Sequence, residues 1–296
     1  MAIKLLIFGN RGQLATCIKR HSLASRFDIV ALGRQEFDLT SRGDLKEVIS
    51  SIQPELVINT AAFTDVEGAE EARWNCLDVN SQAARHIGEL CQQIKIPHIY
   101  FSSDYVFNGN KGSPYVETDR PNPINLYGFS KLMGEDAVRE TGGVVLRTAW
   151  LFSSHENSFT NRILQAAQKH PLLKIVADQV GNPTCADSLA QITLEMSERI
   201  LSGEDFASLY HVAGNEAATW AELAREAIAS AAEAEPSLTL ASVQEIDSAQ
   251  WNYKAPRPHD SRLDTALLKD RFPNVDLSWR ASVRRSAQDR SFIGLA

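Results

Sequence analysis

Short apolar runs alternate with longer segments of mixed polarity through the first half of the chain, and this alternation limits the fold more than any other feature. Several runs have the length of buried strands, and they lie at residues 3–9, 29–32, 56–59, 98–102 and 144–147. The segments between them have the length and polarity of helices, at 13–23, 45–52, 75–95 and 126–140. Because parallel strands need a crossover, usually a helix, the pattern predicts an α/β fold with a Rossmann-type doubly wound parallel sheet.

The second half of the chain is less regular. Helices are predicted at 159–169, 189–201 and 220–234, a strand at 209–212, and an ordered loop with two prolines at 251–260. We predict that residues 1–150 form a Rossmann domain, to which later segments such as 185–215 return. Residues 151–296 are predicted to form mainly a smaller C-terminal substrate-binding lobe.

The composition of the chain argues against several classes of binding partner. The formal net charge is −7, so the chain offers no basic surface for nucleic acid or an anionic membrane. The chain contains no apolar run of about 18 residues, and its apolar start is too short for a secretory signal, so neither a membrane span nor export is expected. The four cysteines form no CxxC pair and the seven histidines show no metal spacing. We therefore expect reduced thiols, a cytoplasmic location and no metal site.

A turn rich in small residues follows the first predicted strand, with the sequence Gly9-Asn10-Arg11-Gly12-Gln13-Leu14-Ala15. In dinucleotide-binding folds one glycine allows a tight turn, another lets the backbone approach a pyrophosphate, and a small third residue lets helix and strand pack closely. The pyrophosphate then lies at the amides of the helix N-terminus. The turn, with Gly9 and Asn10 at its start, is predicted to bind a dinucleotide. A strand–turn–helix unit without a nucleotide is the alternative.

The end of the second predicted strand bears on the choice of cofactor. Rossmann domains specific for NAD usually carry Asp or Glu there to hold the ribose 2′-hydroxyl. Here the strand ends in Leu32-Gly33-Arg34, with no carboxylate at its tip. A guanidinium can pair with a 2′-phosphate, so Arg34 predicts NADPH as cofactor, with NADH as the second choice. A solvated arginine is the alternative interpretation. Asp38 and Leu39 come just after and are expected to approach the adenine.

Tyr127 and Lys131 stand four residues apart on a predicted helix and therefore share one face. Reducing a carbonyl group needs a proton donor, and a phenol with a pKa of about 10 is too weak an acid unless a nearby positive charge stabilises its anion. Lys131 supplies that charge and can also bond to the nicotinamide ribose. Ser103 ends the fourth predicted strand, at the sheet edge where ligands bind, and can hold the substrate carbonyl. Ser103, Tyr127 and Lys131 are the predicted catalytic residues, with Ser102 as the alternative serine.

Two further residues are candidate contacts for a substrate. Trp150 follows the fifth predicted strand at the same sheet edge and offers an aromatic face to a sugar or a base. Arg257 lies in the proline-rich loop and can clamp the diphosphate of a nucleotide, with an ordinary surface arginine as the alternative. Trp220 begins a predicted helix, where a place in the core is expected instead.

Longer motifs run through most of the chain. They read FGNRGQLA at 8–15, NTAAFTDVEGAE at 59–70, SSDYVFNG at 102–109, PYVETDRPNPINLYGFSKLMGE at 114–135, RTAWLF at 147–152, DQVGNPT at 178–184, YHVAG at 210–214 and RPHDSRLD at 257–264. In these motifs the chain resembles the extended short-chain dehydrogenase/reductase family and, within it, the dTDP-4-dehydrorhamnose reductases.

The resemblance implies reduction of dTDP-4-dehydro-L-rhamnose to dTDP-L-rhamnose by hydride transfer from NAD(P)H, with the same three catalytic residues. It implies cofactor contacts by Gly12, Gln13, Leu14, Asp38, Leu39, Ala61, Ala62, Phe63 and Thr64, and places Ser103, Asp104 and Trp150 against the sugar of a dTDP-sugar substrate. Some members hold Mg²⁺ at a homodimer contact. No carboxylate cluster in the sequence can be assigned to that ion, so the resemblance leaves both a homodimer and Mg²⁺ open.

Some residues depart from the family pattern. Ser103 stands where the family usually has Thr, which keeps the hydroxyl group. Gly68 replaces a basic residue, and Asp260 replaces an Asn in the RPxNS motif. The second and third differences leave a reductase of a different 4-keto-6-deoxysugar nucleotide as one alternative. The resemblance also extends to the regulatory subunit of methionine adenosyltransferase, so an NADP-binding regulatory subunit is the other alternative. The intact Ser103, Tyr127 and Lys131 set favours an enzyme, because regulation needs no proton donor.

Overall fold

The computed structural model describes residues 3–41, 44–154 and 158–288. In chain order its strands are β1 Ile3–Phe8, β2 Phe27–Leu32, β3 Leu56–Asn59, β4 His98–Ser103, β5 Val144–Thr148, β6 Leu151–Phe152, β7 Leu172–Val176, β8 Val180–Gly181, β9 Thr184–Cys185, β10 Leu209–His211, β11 Ala218–Thr219 and β12 Ser242–Ile246. Its α-helices are α1 Gln13–Arg20, α2 Leu45–Ile52, α3 Val66–Glu71, α4 Arg73–Leu77, α5 Ala83–Ile94, α6 Leu126–Glu140, α7 Phe159–Ala167, α8 Ala186–Leu201, α9 Trp220–Ala234, α10 Ala266–Arg271 and α11 Trp279–Ala287.

The central sheet has six parallel strands in the order β2–β1–β3–β4–β5–β10. After β1 the chain moves to β2 on one side, and from β3 onward it builds the sheet on the other side. This reversal makes the carboxyl ends of β1 and β3 a topological switch point, where open α/β sheets bind ligands. The predicted fold class, an α/β Rossmann-type parallel sheet, is confirmed.

Helices cover both faces of this sheet because successive side chains of a strand point to opposite sides. Leu5 and Ile7 of β1 join a buried cluster with residues of α1 and α8. Leu6 and Phe8 of the same strand join a cluster with residues of α2 and α5 on the other face. The return of α8 and β10 to the first sheet places residues 186–211 with the N-terminal half.

A second hydrophobic core lies among the later elements. Leu223 and Ala227 of α9 pack with Trp279 and Val283 of α11 in one buried cluster. A neighbouring cluster joins α7, α9 and β7, and β7 pairs in parallel with β12. This second core is consistent with a smaller C-terminal lobe, while the division of the chain at residue 150 stays a prediction. None of the helices in the described ranges is both long and apolar enough to span a membrane.

Most predicted elements agree with the structure within three residues, and the differences have local causes. The helix expected at 13–23 ends at Arg20, and a 3₁₀ turn follows at Ser22–Arg26. The helix expected at 75–95 begins earlier, at Arg73, and is interrupted by a π-helical turn at Asp78–Gln82. The elements α3, α10, α11, β6–β9, β11 and β12 were not predicted. Of these, β6, β8, β9 and β11 have only two residues each and α3 and α10 only six, which is too few to show a period.

Candidate active site

A cavity of about 940 Å³ opens at the carboxyl edge of the central sheet. Its walls come from the segments that follow β1 to β5, at residues 9–15, 32–40, 60–64, 101–104 and 148–151, together with Tyr127 and Lys131 of α6. The cavity therefore brings together all of the predicted catalytic and cofactor-binding residues, and also Asp104 and Trp150. Arg257 is not among the residues that line it.

The glycine turn between β1 and α1 forms one end of the cavity. Gly9 has a φ of 99°, and a Cβ atom there would lie 2.5 Å from Thr60 Oγ1 and 2.9 Å from the Ala61 nitrogen, so a larger residue would collide with the segment after β3. Gly12 precedes the first turn of α1, which contains no acidic side chain. The amides of this turn can accordingly face an anion, and the segment fits the pyrophosphate of a dinucleotide.

The end of β2 carries both signs of charge. Arg34 is exposed, with 75% of its side chain accessible, and its Nε lies 3.0 Å from Asp38 Oδ2. Asp38 also accepts hydrogen bonds from the Thr40 hydroxyl and backbone amide, which hold the pKa of its carboxyl below its usual range. Glu36 lies beyond the strand, but its carboxylate folds back to accept a hydrogen bond from the Gly33 amide at 2.8 Å. The inference that no carboxylate stands at this strand end is therefore wrong, because the turn at 33–36 brings one there.

The segment after β3, which includes Phe63, is held by Asn80, a residue that the sequence did not single out. The buried Asn80 side chain accepts a hydrogen bond from the Phe63 amide at 2.8 Å and donates one to the Phe63 carbonyl at 3.1 Å. It also donates to Ser130 Oγ on α6 at 2.9 Å. Asn80 lies in the π-helical turn, and such turns are frequent at functional sites.

Tyr127 is partly exposed to the cavity, and its ring meets the edge of Tyr105 with a centroid distance of 5.8 Å. Burial raises the pKa of Tyr127 above the usual range, although a hydrogen bond with the Ser103 side chain acts in the opposite direction. The phenol thus keeps its proton at neutral pH, and its use as a proton donor depends on the stabilisation of its anion that Lys131 is predicted to supply.

Lys131 lies one helical turn beyond Tyr127, and its side chain is buried. Its Nζ lies 4.1 Å from the centre of the Tyr100 ring and makes no hydrogen bond to a protein atom of the described ranges. Burial lowers the pKa of Lys131 to about 7, while the nearby Glu135 charge raises it. The ammonium group consequently has free donors for a ligand in the cavity.

Ser103 and Asp104 form the end of β4 together with a distant residue. The Ser103 hydroxyl donates to Asp104 Oδ1 at 3.0 Å, and the Ser261 hydroxyl donates to Asp104 Oδ2 at 2.5 Å. Burial raises the pKa of Asp104 to about 6 despite these two hydrogen bonds. Ser261 belongs to the RPHDSRLD motif at 257–264, so this motif reaches the cavity wall through Ser261.

Trp150 has an unusual backbone for a residue with a large side chain, with a φ of 45°. Its indole stacks on that of Trp220 with ring centroids 3.6 Å apart and planes 5° from parallel. A Cβ atom on Gly181 would lie 2.5 Å from the Trp150 ring, so this glycine makes room for it. The stack fixes Trp150 on the cavity wall.

Arg257 lies behind the cavity wall, where its guanidinium is already engaged. Its Nη2 is 2.6 Å from Glu67 Oε1, and its Nη1 donates to the Tyr105 hydroxyl at 3.3 Å. Tyr105 in turn contacts Tyr127. The structure thus places Arg257 one residue away from the catalytic candidates, and its contact with a diphosphate stays a prediction.

The strand order reverses between β1 and β3, and the glycine turn lies at this point. The same cavity holds Ser103, Tyr127 and Lys131. These features define a dinucleotide-binding protein of the Rossmann class. Within that class, the chain belongs to the family described as RmlD substrate binding domain, whose model matches residues 3–291.

Individual relatives agree with this family. The chain is 33% identical to a dTDP-4-dehydrorhamnose reductase of Sinorhizobium fredii, with 96% of both chains covered, and 30% identical to one of Escherichia coli K12, again with 96% of both covered. A crystal structure of dTDP-4-dehydrorhamnose reductase from Bacillus anthracis in complex with NADP superposes with a TM-score of 0.86. It is 26% identical, and the match covers 97% of this chain and 99% of that chain.

Proposed function

We propose that the chain reduces dTDP-4-dehydro-L-rhamnose to dTDP-L-rhamnose with NADPH. The observation that carries the proposal is the convergence of Ser103, Tyr127 and Lys131 on one cavity with the glycine turn. Relatives that share a third of the sequence over nearly the full length are dTDP-4-dehydrorhamnose reductases, which supports the same reaction.

The residues at the sheet edge fit a nicotinamide dinucleotide. The turn from Gly9 to Leu14 would hold the pyrophosphate, since no atom crowds Gly12 and α1 begins there. Arg34, Asp38 and Leu39 would surround the adenosine, and the 61–64 segment would lie along the middle of the cofactor. When bound, the cofactor supplies the hydride that reaches the keto carbon of the sugar.

The side chains at the other end of the cavity would handle the keto oxygen. Tyr127 donates its phenolic proton to that oxygen as the carbon receives the hydride, and Ser103 holds the oxygen in place. Lys131 stabilises the tyrosinate that remains and bonds to the nicotinamide ribose. Its buried ammonium has no competing hydrogen bond in the described ranges, which supports both roles.

The sugar nucleotide would enter between the central sheet and the C-terminal lobe. Asp104 offers a buried carboxyl and Trp150 an indole fixed by stacking, and both line the cavity. Arg257 would act from behind Tyr105, by holding the loop at 251–260 against α3. We infer a cytoplasmic location with no nucleic-acid partner, in keeping with four buried free thiols and a net charge of −7.

The reaction is tested by following NADPH oxidation with and without the dTDP-4-keto-6-deoxy-L-sugar. The wild type should oxidise NADPH only when the sugar is present. Tyr127→Phe keeps the ring but removes the proton donor, so kcat should fall by about 10²–10⁴-fold while NADPH still binds. Ser103→Thr, which keeps the hydroxyl, should remain active, whereas Ser103→Ala should not.

Three results would contradict the proposal. Near wild-type turnover in Tyr127→Phe would show that another group donates the proton. Tight NADPH binding without turnover on any keto sugar would instead support a regulatory subunit, and faster turnover of another 4-keto-6-deoxysugar nucleotide would change the substrate.

A further inference from the structure

Glu36 comes after the end of β2 in the sequence, but the backbone folds so that its carboxylate lies at the end of the strand. The backbone turns sharply after β2, with the amides of Glu36 and Phe37 both donating to the Gly33 carbonyl, at 3.1 and 2.8 Å. The turn brings Glu36 Oε2 within 2.8 Å of the Gly33 nitrogen, at the very end of the strand. The carboxylate is thus anchored at the strand end although the strand itself ends in glycine.

The carboxylate also lies beside the glycine turn. A Cβ atom on Gly33 would stand 2.9 Å from Glu36 Oε2 and 3.1 Å from the Cβ of Asn10. The absence of a side chain at Gly33 therefore leaves the space that Glu36 uses, between the end of β2 and the loop after β1. Glu36, Asn10 and Gly12 line the same cavity.

This place has a known chemistry in Rossmann domains. A carboxylate at the end of the second strand accepts hydrogen bonds from the adenosine ribose and favours a free 2′-hydroxyl. The same carboxylate repels a 2′-phosphate, which carries negative charge. Two guanidinium groups stand close by: Arg34 pairs with Asp38, and Arg11 donates to Gln35 at 2.7 Å. The strand end therefore presents both a ribose acceptor and cations for a phosphate.

We propose that Glu36 is a specificity-determining residue for the cofactor, which accepts the ribose 2′-hydroxyl of NADH and opposes the 2′-phosphate of NADPH. The inference rests on the proposed function, since it assumes that a nicotinamide cofactor binds in this cavity. The chain then uses both cofactors. Glu36 favours NADH, Arg34 favours NADPH, and the two residues together determine the ratio of the two affinities.

The test is a pair of binding titrations, with NADH and with NADPH, on the wild type and Glu36→Gln in the absence of any sugar. Glutamine can still accept the hydrogen bond from the Gly33 amide, so the turn should persist. Loss of the charge should weaken NADH binding, strengthen NADPH binding, and shift the ratio of the two affinities toward NADPH by about 10-fold, as expected for a hydrogen bond to a charged group. Arg34→Gln should shift the ratio the other way.

Glu55→Gln is the matched control. Glu55 accepts a hydrogen bond from the Lys4 amide at the same 2.8 Å, but it does not line the cavity, so its removal should leave the ratio unchanged. A ratio in Glu36→Gln within about twofold of the wild type would overturn the proposal, as would equal changes for both cofactors. If the wild type binds neither cofactor, the proposed function itself fails, whereas cofactor binding without sugar turnover leaves the role of Glu36 intact.

Discussion

The amino group of Lys131 is buried, and burial makes its charged form costly. Burial lowers its pKa to about 7, so at neutral pH the free protein holds a mixture of ammonium and amine. A bound dinucleotide adds negative phosphates and a ribose acceptor, which favour the ammonium form. Cofactor affinity should therefore depend on pH through Lys131.

We expect NADPH to bind most tightly below pH 7 and progressively more weakly as the pH rises through the pKa of free Lys131. The sign follows from linkage, because the ligand prefers the protonated form and that form is lost first in the free protein. Titrations of NADPH between pH 6 and 9 measure the effect, and Lys131→Met should remove most of it. A slope of equal size in Lys131→Met would assign the pH dependence to another group.

Some site residues were predictable because their chemistry is local in sequence. Tyr127 and Lys131 share a helix face by spacing alone, and Gly9 marks a turn by its position after an apolar run. Asn80, Ser261 and Glu36 were missed for a physical reason. Asn80 contacts Phe63 and Ser130, and Ser261 contacts Asp104, across 17, 50 and 157 residues. Glu36 depends on a turn geometry, and no residue pattern by itself specifies where a carboxylate folds back.

Helix α6 is anchored by a fully buried ion pair. Glu135 receives two hydrogen bonds from the Arg147 guanidinium of β5, at 2.9 and 2.6 Å, and Arg147 also lies 3.3 Å from His211 of β10. Burial, followed by the Arg147 charge, lowers the pKa of His211 to about 3, so the histidine is neutral. The negative charge of Glu135 and the positive charge of Arg147 therefore compensate each other in the interior, where α6, the helix that carries Tyr127 and Lys131, is joined to β5.

Removing one partner of this pair should destabilise the whole fold. Glu135→Gln leaves the Arg147 charge buried without its counterion, and the free energy of unfolding should fall by about 3–5 kcal/mol. Glu140→Gln is the matched control on the same helix, because its pair with Arg85 is exposed and spans 3.5 Å, so its loss should cost less than about 1 kcal/mol. Urea unfolding measures both, and equal costs would contradict the argument.

The elements that were predicted well carry their own end signals. Helix α6 begins after Asn125, whose side chain accepts from the Gly128 amide, and α2 begins after Asp44, whose side chain accepts from the Glu47 amide. The pair β7 and β12 lacks such signals, since these short strands lie 70 residues apart in sequence and expose several of their side chains. The π-helical turn that interrupts the helix at 75–95 contains Asn80, which bonds to Phe63 and Ser130 in other segments, and no local pattern reveals such contacts.

The loop at 251–260 joins the C-terminal half of the chain to the edge of the central sheet. Arg257 binds Glu67 of α3 and Tyr105 after β4, and Ser261 just beyond the loop binds Asp104. The loop therefore lies beside the region where the sugar nucleotide is proposed to bind, while the glycine turn lies at the switch point, after β1.

Arg257→Ala should accordingly raise KM for the sugar nucleotide by roughly 10-fold or more, as expected for loss of a charged hydrogen bond, and leave the affinity for NADPH nearly unchanged. Steady-state kinetics and a cofactor titration separate the two effects. Lys254→Ala is the control, because Lys254 lies in the same loop but pairs with Glu71 at the exposed surface. An equal loss of affinity for both ligands would place Arg257 in the cofactor site.

The stacked indoles of Trp150 and Trp220 have an optical consequence. Faces held 3.6 Å apart and nearly parallel behave as one coupled chromophore, so the pair should give a circular dichroism signal that isolated tryptophans lack. Trp150 also lies on the cavity wall, and reduced nicotinamide absorbs where tryptophan emits. The protein thus carries its own fluorescent donor beside the cavity, and energy transfer can report occupancy without an added dye.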